Sequence, residues 1–190
     1  MTSTEFFKDN PDIHWIACPN SGRIIQQHLN DCREERRPYV FYTNTMNDKP
    51  LRRILVPVSM LEEEVYKAEI CTYLARKTGA HLLLLKAHDY GSRATTNLHK
   101  IVTHIETIAA HTGAAITYEV HEAKKDSFHL MREASERQRD FQHDLLVLTA
   151  SREYGLDDWL FGPPERKAIQ RALVPVMFIN PRGDLFSLCD

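Results

Sequence analysis

The run Leu145-Leu-Val-Leu-Thr-Ala-Ser151 is an apolar segment that leads into a polar loop, and this loop continues from Arg152 to Gly162. A buried strand followed by a loop, a glycine and a helix with a charged first turn is typical of α/β proteins. Backbone N–H groups at such a helix N-terminus can bind an anion. Here Pro163 and Pro164 follow the glycine. Because proline has no backbone N–H, two candidate donors are missing.

The same alternation of strand and helix extends over most of the chain. Short apolar segments predict buried strands, and segments with apolar residues at helical spacing predict helices. The predicted strands are 53–58, 81–87, 115–120, 145–149 and 174–179, and the predicted helices are 60–78, 97–111, 126–142 and 165–172. We therefore expect an α/β fold, in which a five-stranded parallel sheet carries helices on both faces.

Ligands of open parallel sheets bind at the carboxyl ends of the strands, at the point where the strand order reverses. The loops that should meet at that edge are 59–61, 88–93 and 150–164. These loops are the first place to look for a binding site.

Residues 51–181 resemble a universal stress protein domain. The resemblance is carried by five segments: Ile54-Leu-Val-Pro-Val58, Lys77-Thr-Gly-Ala80, Leu145-Leu-Val-Leu148, Leu160-Phe-Gly162 and Ala172-Leu-Val-Pro-Val-Met-Phe-Ile179. It implies the five-stranded sheet of the adenine nucleotide alpha hydrolase-like fold. It also implies a homodimer, which would form through Val174, Val176 and Phe178 of the last strand.

One branch of that family binds ATP or a related adenine nucleotide. This branch carries an Asp after the first strand and a Gly-x2-Gly-x9-Gly-Ser/Thr phosphate loop. With the loop anchored on Gly162, its earlier glycine positions fall on Thr149 and Arg152, and its Ser/Thr position falls on Pro163. The Asp position falls on Ser59. One of the four loop positions is therefore kept, and the acidic residue is absent.

The resemblance implies a degenerate nucleotide cleft made of Ser59, Met60, Ala87, Thr149, Ala150, Arg152, Gly162 and Pro163. The side chains of Thr149 and Arg152 would crowd a phosphate that glycine lets approach closely. The side chains of Arg152, Arg166 and Lys167 could still pair with an anion. We expect no cofactor, and ATP is the alternative.

We interpret the chain as a universal stress protein-like regulatory or binding module that is non-catalytic and has a degenerate ATP-binding loop. Two alternatives remain open: an adenine-nucleotide-binding stress protein, with ATP or AMP as its ligand, and a soluble regulatory domain that acts on a transporter. Ser59, His88 and Asp89 follow predicted strands, but the sequence has neither a Gly-x-Ser-x-Gly elbow nor a Walker loop. We therefore expect no catalytic residues.

The composition argues against several other classes. The formal net charge of -2 does not favour binding to nucleic acid or to an anionic membrane. No apolar run approaches the ~20 residues of a membrane span, and residues 1–11 lack the apolar core of a signal peptide. We expect a cytoplasmic protein. The 4 cysteines, taken to be free thiols, and the 10 histidines show no metal-binding spacing, so no metal site is predicted.

The first 50 residues require a separate interpretation. Segments 11–18 and 36–42 are predicted strands that flank a helix, with Asn20 or Ser21 as its N-cap. This unit resembles the last strand–helix–strand of a preceding stress-protein domain whose first part is absent; an unrelated N-terminal arm is the alternative. The predicted division is an extension and linker at 1–50, the stress-protein-like domain at 51–181 and a tail at 182–190.

The N-terminal unit should also cover a sheet edge. An exposed apolar strand is an aggregation hazard and is normally covered. We therefore expect segment 38–42 to pair with segment 174–179, either within one chain or across a dimer.

Overall fold

The computed structural model describes residues 1–151 and 163–181, with the side chain of residue 33 left out. Arg152, Gly162, the Leu160-Phe161 pair and the predicted tail 182–190 lie outside the described residues.

The described strands form one sheet of seven, in the order β1-β2-β7-β6-β3-β4-β5. They are β1 His14–Cys18, β2 Tyr39–Thr43, β3 Arg53–Val58, β4 His81–Lys86, β5 Tyr118–Glu122, β6 Leu145–Thr149 and β7 Val176–Ile179. Neighbours are parallel except β2 and β7, which are antiparallel. The five predicted strands are present as β3 to β7. The prediction of a five-stranded sheet was wrong because β1 and β2 extend that sheet.

Helices cover both faces of the sheet, as predicted. They are α1 Ser3–Lys8, α2 Gly22–Asp31, α3 Lys67–Thr78, α4 Arg93–Thr112, α5 Leu130–Glu136, α6 Gln138–Phe141 and α7 Pro164–Arg171, with 3-10 turns at Cys32–Glu34 and Glu62–Tyr66. One buried apolar cluster joins the sheet to α2, α5 and α7, and the other joins it to α1, α3 and α4. Successive β3 residues contribute to opposite clusters, since side chains alternate along a strand.

Two predicted helices are shorter than expected. The helix predicted at 60–78 begins as the 3-10 turn, and α3 starts only at Lys67. The helix predicted at 126–142 is divided at Arg137 into α5 and α6. Its expected caps, Asp126 and Ser127, are not at the N-cap, which is His129. The Ser127 hydroxyl bonds instead to the backbone of the β3 loop.

One helix was not predicted at all. Thr2 and Glu5 form a reciprocal capping box at the start of α1, and Phe6 and Phe7 on this helix are buried. The Thr-x-x-Glu spacing is a known helix-start signal, so it could have been found in the sequence.

The N-terminal unit joins the main sheet within one chain. Strand β2 pairs with β7 in the register Tyr39↔Phe178, Val40↔Met177 and Phe41↔Val176. This confirms the expected pairing. Because β2 occupies the outer edge of β7, a second copy could not pair there in this arrangement. The predicted homodimer would need another surface and stays a prediction.

Candidate functional site

The site expected from the topology lies where β6, β3 and β4 end side by side. From β3 the chain continues to β4 and β5 on one side, whereas β6 and β7 lie on the other side, so the strand order reverses at β3. Ser59 and Met60 follow β3, Ala87 follows β4, and Thr149 ends β6 with Ala150 after it. Pro163 is the N-cap of α7. Arg152 and Gly162 are outside the described residues, so the predicted site as a whole stays a prediction.

The backbone N–H groups after β3 all donate within the protein. Ser59 donates to Glu64 Oε2 at 3.2 Å, and Met60 donates to Ser127 Oγ at 2.8 Å. Leu61 donates to Ser59 Oγ at 3.3 Å. These amides are therefore already used, and a bound phosphate would have to displace a side chain to reach them.

The N–H groups after β4 and β6 are used in the same way. They form four bonds: Ala87 to Val58 O at 2.9 Å, His88 to Lys125 O at 2.9 Å, Ala150 to Ile179 O at 2.9 Å and Ser151 to Glu165 Oε1 at 2.6 Å. Anion sites at sheet edges and helix N-termini depend on free backbone donors. None of these four donors is free.

Glu165 lies against the carboxyl end of β6, beside the candidate cleft. Its side chain is 1% exposed, and one carboxylate oxygen accepts from the Ser151 N–H just after β6. The other oxygen, Oε2, and the buried hydroxyl of Thr149 have no hydrogen-bond partner in the described residues. A carboxylate that already accepts from the strand-end amide adds negative charge where a phosphate would approach.

The start of α7 adds few donors of its own. Pro163 is its N-cap and Pro164 follows in the first turn. The N–H groups of Arg166 and Lys167 both point back to the Pro163 carbonyl, at 3.1 and 3.5 Å. This arrangement agrees with the expectation that Pro163 and Pro164 leave few backbone donors at this helix N-terminus.

A buried ion pair lies beneath the β3 loop. Lys67 Nζ donates to Glu64 Oε2 at 2.6 Å and to the Pro57 carbonyl at 2.5 Å. Glu64 is 4% exposed and Lys67 is 2% exposed. Glu64 also accepts from Ser59, so this pair holds the loop in place. The sequence analysis did not predict this pair, although the spacing of three residues between the two opposite charges was an available signal.

Two further side chains fasten the β3 loop. The Asn97 amide on α4 donates to the carbonyls of Ser59 and Leu61 at 2.9 and 2.8 Å. Asp89 accepts from the N–H of Ser127 at 3.1 Å and from its hydroxyl at 2.5 Å. Ser127 therefore connects the loop after β4 to the loop after β3.

The polar residues considered for catalysis do not form a catalytic set. Asp89 bonds to Ser127, and the Ser59 hydroxyl accepts from Leu61. Within the described residues no hydrogen bond joins Ser59, His88 and Asp89 to one another. A nucleophile needs a base and an orienting partner within bonding reach, and this geometry supplies neither.

The described cysteines are buried thiols. Cys18, Cys32 and Cys71 are free and buried. Burial raises the pKa of Cys71 to about 12, and burial together with Glu35 and Asp31 raises the pKa of Cys32 to about 12. These two thiols stay protonated at neutral pH and are poor nucleophiles.

Two other kinds of functional feature are absent from the residues that the structure describes. These residues include no group of three or more His, Cys, Asp or Glu side chains placed to hold a metal ion. They include no helix with the length and apolar character that a membrane crossing requires.

Comparison with known proteins finds similarity at the level of structure. No family model matches the sequence, and no curated protein matches it. A universal stress protein from Archaeoglobus fulgidus DSM 4304 has a similar structure, with 15% identity and a TM-score of 0.65 over 95% of this chain and 66% of that one. A protein of unknown function from Pseudomonas aeruginosa PAO1 gives 14% identity and a TM-score of 0.56, with 95% and 66% covered. The chain thus spans just under two thirds of the length of these two neighbours.

A shorter neighbour matches only part of this chain. The crystal structure of a universal stress protein in complex with cAMP covers 70% of this chain and 99% of its own, with 14% identity and a TM-score of 0.52. At such identities structural likeness establishes the fold. The chain contains a domain of the universal stress protein fold, as the sequence resemblance indicated.

Proposed function

We propose that this protein is a universal stress protein-like regulatory or binding module that is non-catalytic and does not hold ATP in a glycine-rich loop. One observation carries the proposal: the buried Glu165 carboxylate accepts the Ser151 N–H at 2.6 Å. The protein supplies its own anion at the strand end where a phosphate would otherwise bind.

Electrostatics supports this interpretation. Two like charges about 4 Å apart repel by about 4 kcal/mol at the effective dielectric constant typical of a protein surface. The triphosphate of ATP would meet this repulsion with few free amides to offset it. The backbone N–H groups of Ser59, Met60 and Ser151 already donate hydrogen bonds within the protein. Each of them that turned to a phosphate would lose its existing bond.

The second candidate is an adenine-nucleotide-binding stress protein. The neighbour in complex with cAMP favours this candidate over other ligand classes. A cyclic nucleotide carries a single phosphate charge, so repulsion by Glu165 would cost much less than for ATP. Lys167, exposed in the first turn of α7, is a candidate side chain for such a phosphate.

We also propose that β1, α2 and β2 derive from the end of a preceding stress-protein domain. Two observations support this. The unit is a parallel strand–helix–strand that meets β7 in antiparallel fashion. The match to two longer neighbours includes 95% of this chain but only 66% of each neighbour.

Ligand-dependent melting tests the functional proposal. A ligand present at about one hundred times its dissociation constant adds about 2.7 kcal/mol to stability, which a melting curve detects easily. We expect millimolar Mg-ATP to give no shift beyond that given by the same concentration of Mg-tripolyphosphate, which lacks the adenosine. A shift of several degrees with Mg-ATP that tripolyphosphate does not reproduce would overturn the proposal, and a shift with cAMP alone would support the second candidate. Mass spectrometry of the denatured protein would show whether it co-purifies with a nucleotide.

A further inference from the structure

A groove of about 560 Å³ lies at the amino ends of β3 and β6, on the edge of the sheet opposite the candidate cleft. Its lining residues come from the linker before β3 and from the segment around α6: Lys49, Pro50, Arg52, Arg53, Gln138, Arg139, Gln142 and Asp144. Small-molecule sites are usually concave pockets of about 300–1,000 Å³, so the groove has the size of such a site.

The groove is strongly cationic in a protein whose net charge is -2. Four basic side chains line it, against the single carboxylate of Asp144. That carboxylate accepts from the N–H groups of Arg52 and Arg53 at 3.1 and 3.0 Å. Asp144 therefore fixes the backbone that carries Arg52 and Arg53.

Most of the positive charge is unpaired. Arg53 forms an ion pair with Glu119 at 3.1 Å. The side chains of Lys49, Arg52 and Arg139 are exposed and form no hydrogen bond or ion pair with any residue that the structure describes. Clustered cations repel one another, and a multivalent anion bound between them relieves this repulsion. Three unpaired cations around one concavity therefore attract such an anion.

The backbone conformation of Gln142 is a second observation at this groove. Among the described non-glycine residues it alone has a positive φ, of 48°. It ends α6, and its N–H donates to Gln138 O at 2.8 Å. The chain places glycine at two other left-handed helix ends, Gly79 and Gly113, where no side chain is strained. Gln142 carries a strain that glycine would avoid, and its side chain lines the cationic groove, so its amide is a candidate ligand group.

We propose that this groove binds a small polyanion with several adjacent phosphate groups, of the kind found in inorganic tripolyphosphate. Guanidinium groups bind phosphate oxygens through paired N–H donors, and Lys49 adds a point charge. The Gln142 amide adds two neutral donors. The site is separate from the cleft at the carboxyl ends of the strands and does not depend on the function proposed for that cleft.

Charge-reversal variants test the proposal. Tripolyphosphate is titrated calorimetrically into the full chain at constant physiological ionic strength, since salt screens surface charges. Arg52→Glu and Arg139→Glu should each weaken binding by about tenfold or more, which corresponds to about 1.4 kcal/mol. Both side chains are exposed, so unchanged melting curves should show that the variants are folded.

Two matched controls separate this groove from other sources of charge. Arg76→Glu makes the same charge change on the exposed surface of α3, and Lys167→Glu makes it at the carboxyl edge. Neither should weaken binding by more than about twofold, a change of about 0.4 kcal/mol. Equal losses in all four variants would show binding to net charge alone, and a loss confined to Lys167→Glu would place the anion in the cleft; either result overturns the proposal.

Gln142→Gly distinguishes a ligand contact from a structural role. Glycine adopts the left-handed conformation without strain, so this variant should melt at a higher temperature than the wild type. If Gln142 contacts the ligand, the same variant should bind tripolyphosphate more weakly. Unchanged affinity in a stabilised variant, or no binding by the wild type at millimolar tripolyphosphate, would contradict the proposal.

Discussion

Tyr39 and Phe178 lie directly opposite each other on β2 and β7, with their rings stacked 5.7 Å apart at an angle of 23°. Phe41, two residues further along β2, packs edge-on against the same Phe178 ring at 6.2 Å. These three aromatic rings join the N-terminal unit to the stress-protein-type domain. Phe41 and Phe178 are fully buried and Tyr39 is 3% exposed. The junction is therefore part of the hydrophobic core.

Truncation of Phe41 should strongly destabilise the protein. Phe41→Ala removes a fully buried ring and should lower the free energy of unfolding by about 3–5 kcal/mol. Phe128→Ala is the matched control, because Phe128 is 82% exposed and its loss should change stability by no more than about 0.5 kcal/mol. Urea unfolding measures both. Equal effects would mean that β2 does not dock as described.

Deletion of residues 1–49 should produce aggregation or a change in oligomeric state. The deletion removes β2 and uncovers the outer edge of β7, including Met177 and Phe178, which are buried in the full chain. An open apolar edge pairs readily with another chain. Size-exclusion chromatography with light scattering checks the outcome. A truncated protein that is monodisperse, with the same oligomeric state and melting temperature as the full chain, would refute the expectation.

The buried ion pair predicts a non-additive pair of substitutions. Lys67→Met leaves the Glu64 carboxylate buried without its cation and should cost about 3–5 kcal/mol of stability. Adding Glu64→Gln removes the stranded charge while keeping an acceptor for the Ser59 N–H, so the double variant should recover much of that loss. Chemical denaturation of the two single variants and the double variant gives the coupling energy. Additive losses would show that the two residues act independently.

Glu165 should matter as an acceptor more than as a charge. Glu165→Ala leaves the Ser151 N–H without its partner and should cost about 1–3 kcal/mol. Glu165→Gln keeps a carbonyl oxygen that can accept this bond and removes a buried charge, so its cost should be clearly smaller. Thermal and urea unfolding compare the two variants. If Glu165→Gln is as destabilising as Glu165→Ala, the negative charge itself stabilises the protein.

His143 should make the protein sensitive to mild acid. Burial, reinforced by Arg53, lowers the pKa of His143 from 6.5 to about 4. The unfolded chain then binds a proton on this histidine at a pH where the folded protein does not. Stability should therefore fall as pH decreases from about 6.5 towards 4, by about 2 kcal/mol at pH 5 from this group.

A substitution separates the effect of His143 on the pH dependence of stability from the effects of other titratable groups. His143→Gln should flatten the decline in unfolding free energy between pH 7 and pH 5, measured in urea. His99→Gln, at an exposed position on α4, should leave the decline unchanged. An equally steep decline in His143→Gln would assign the acid sensitivity to other groups.

The strand–helix alternation and the identity of the fold could be predicted because both depend on local patterns. Apolar runs such as 54–58 and 145–149 have the length and flanking residues of buried parallel strands. Gly79 and Gly113 directly follow the last residues of α3 and α4, each with a positive φ, which is a common local signal for a helix end. The mismatch between residues 149–163 and a glycine-rich loop is likewise a property of residue order alone.

The state of the candidate site was decided by contacts between residues distant in sequence. Asn97 reaches the Ser59 carbonyl from 38 positions away, and Ser127 reaches the Met60 N–H from 67 positions away. The antiparallel pairing of β2 with β7 extends the sheet to seven strands, and it depends on how the apolar faces of two distant segments pack together. Local periodicity encodes which side of an element is apolar. It does not encode which polar group on another element satisfies a buried amide, because that depends on the packed positions of both elements.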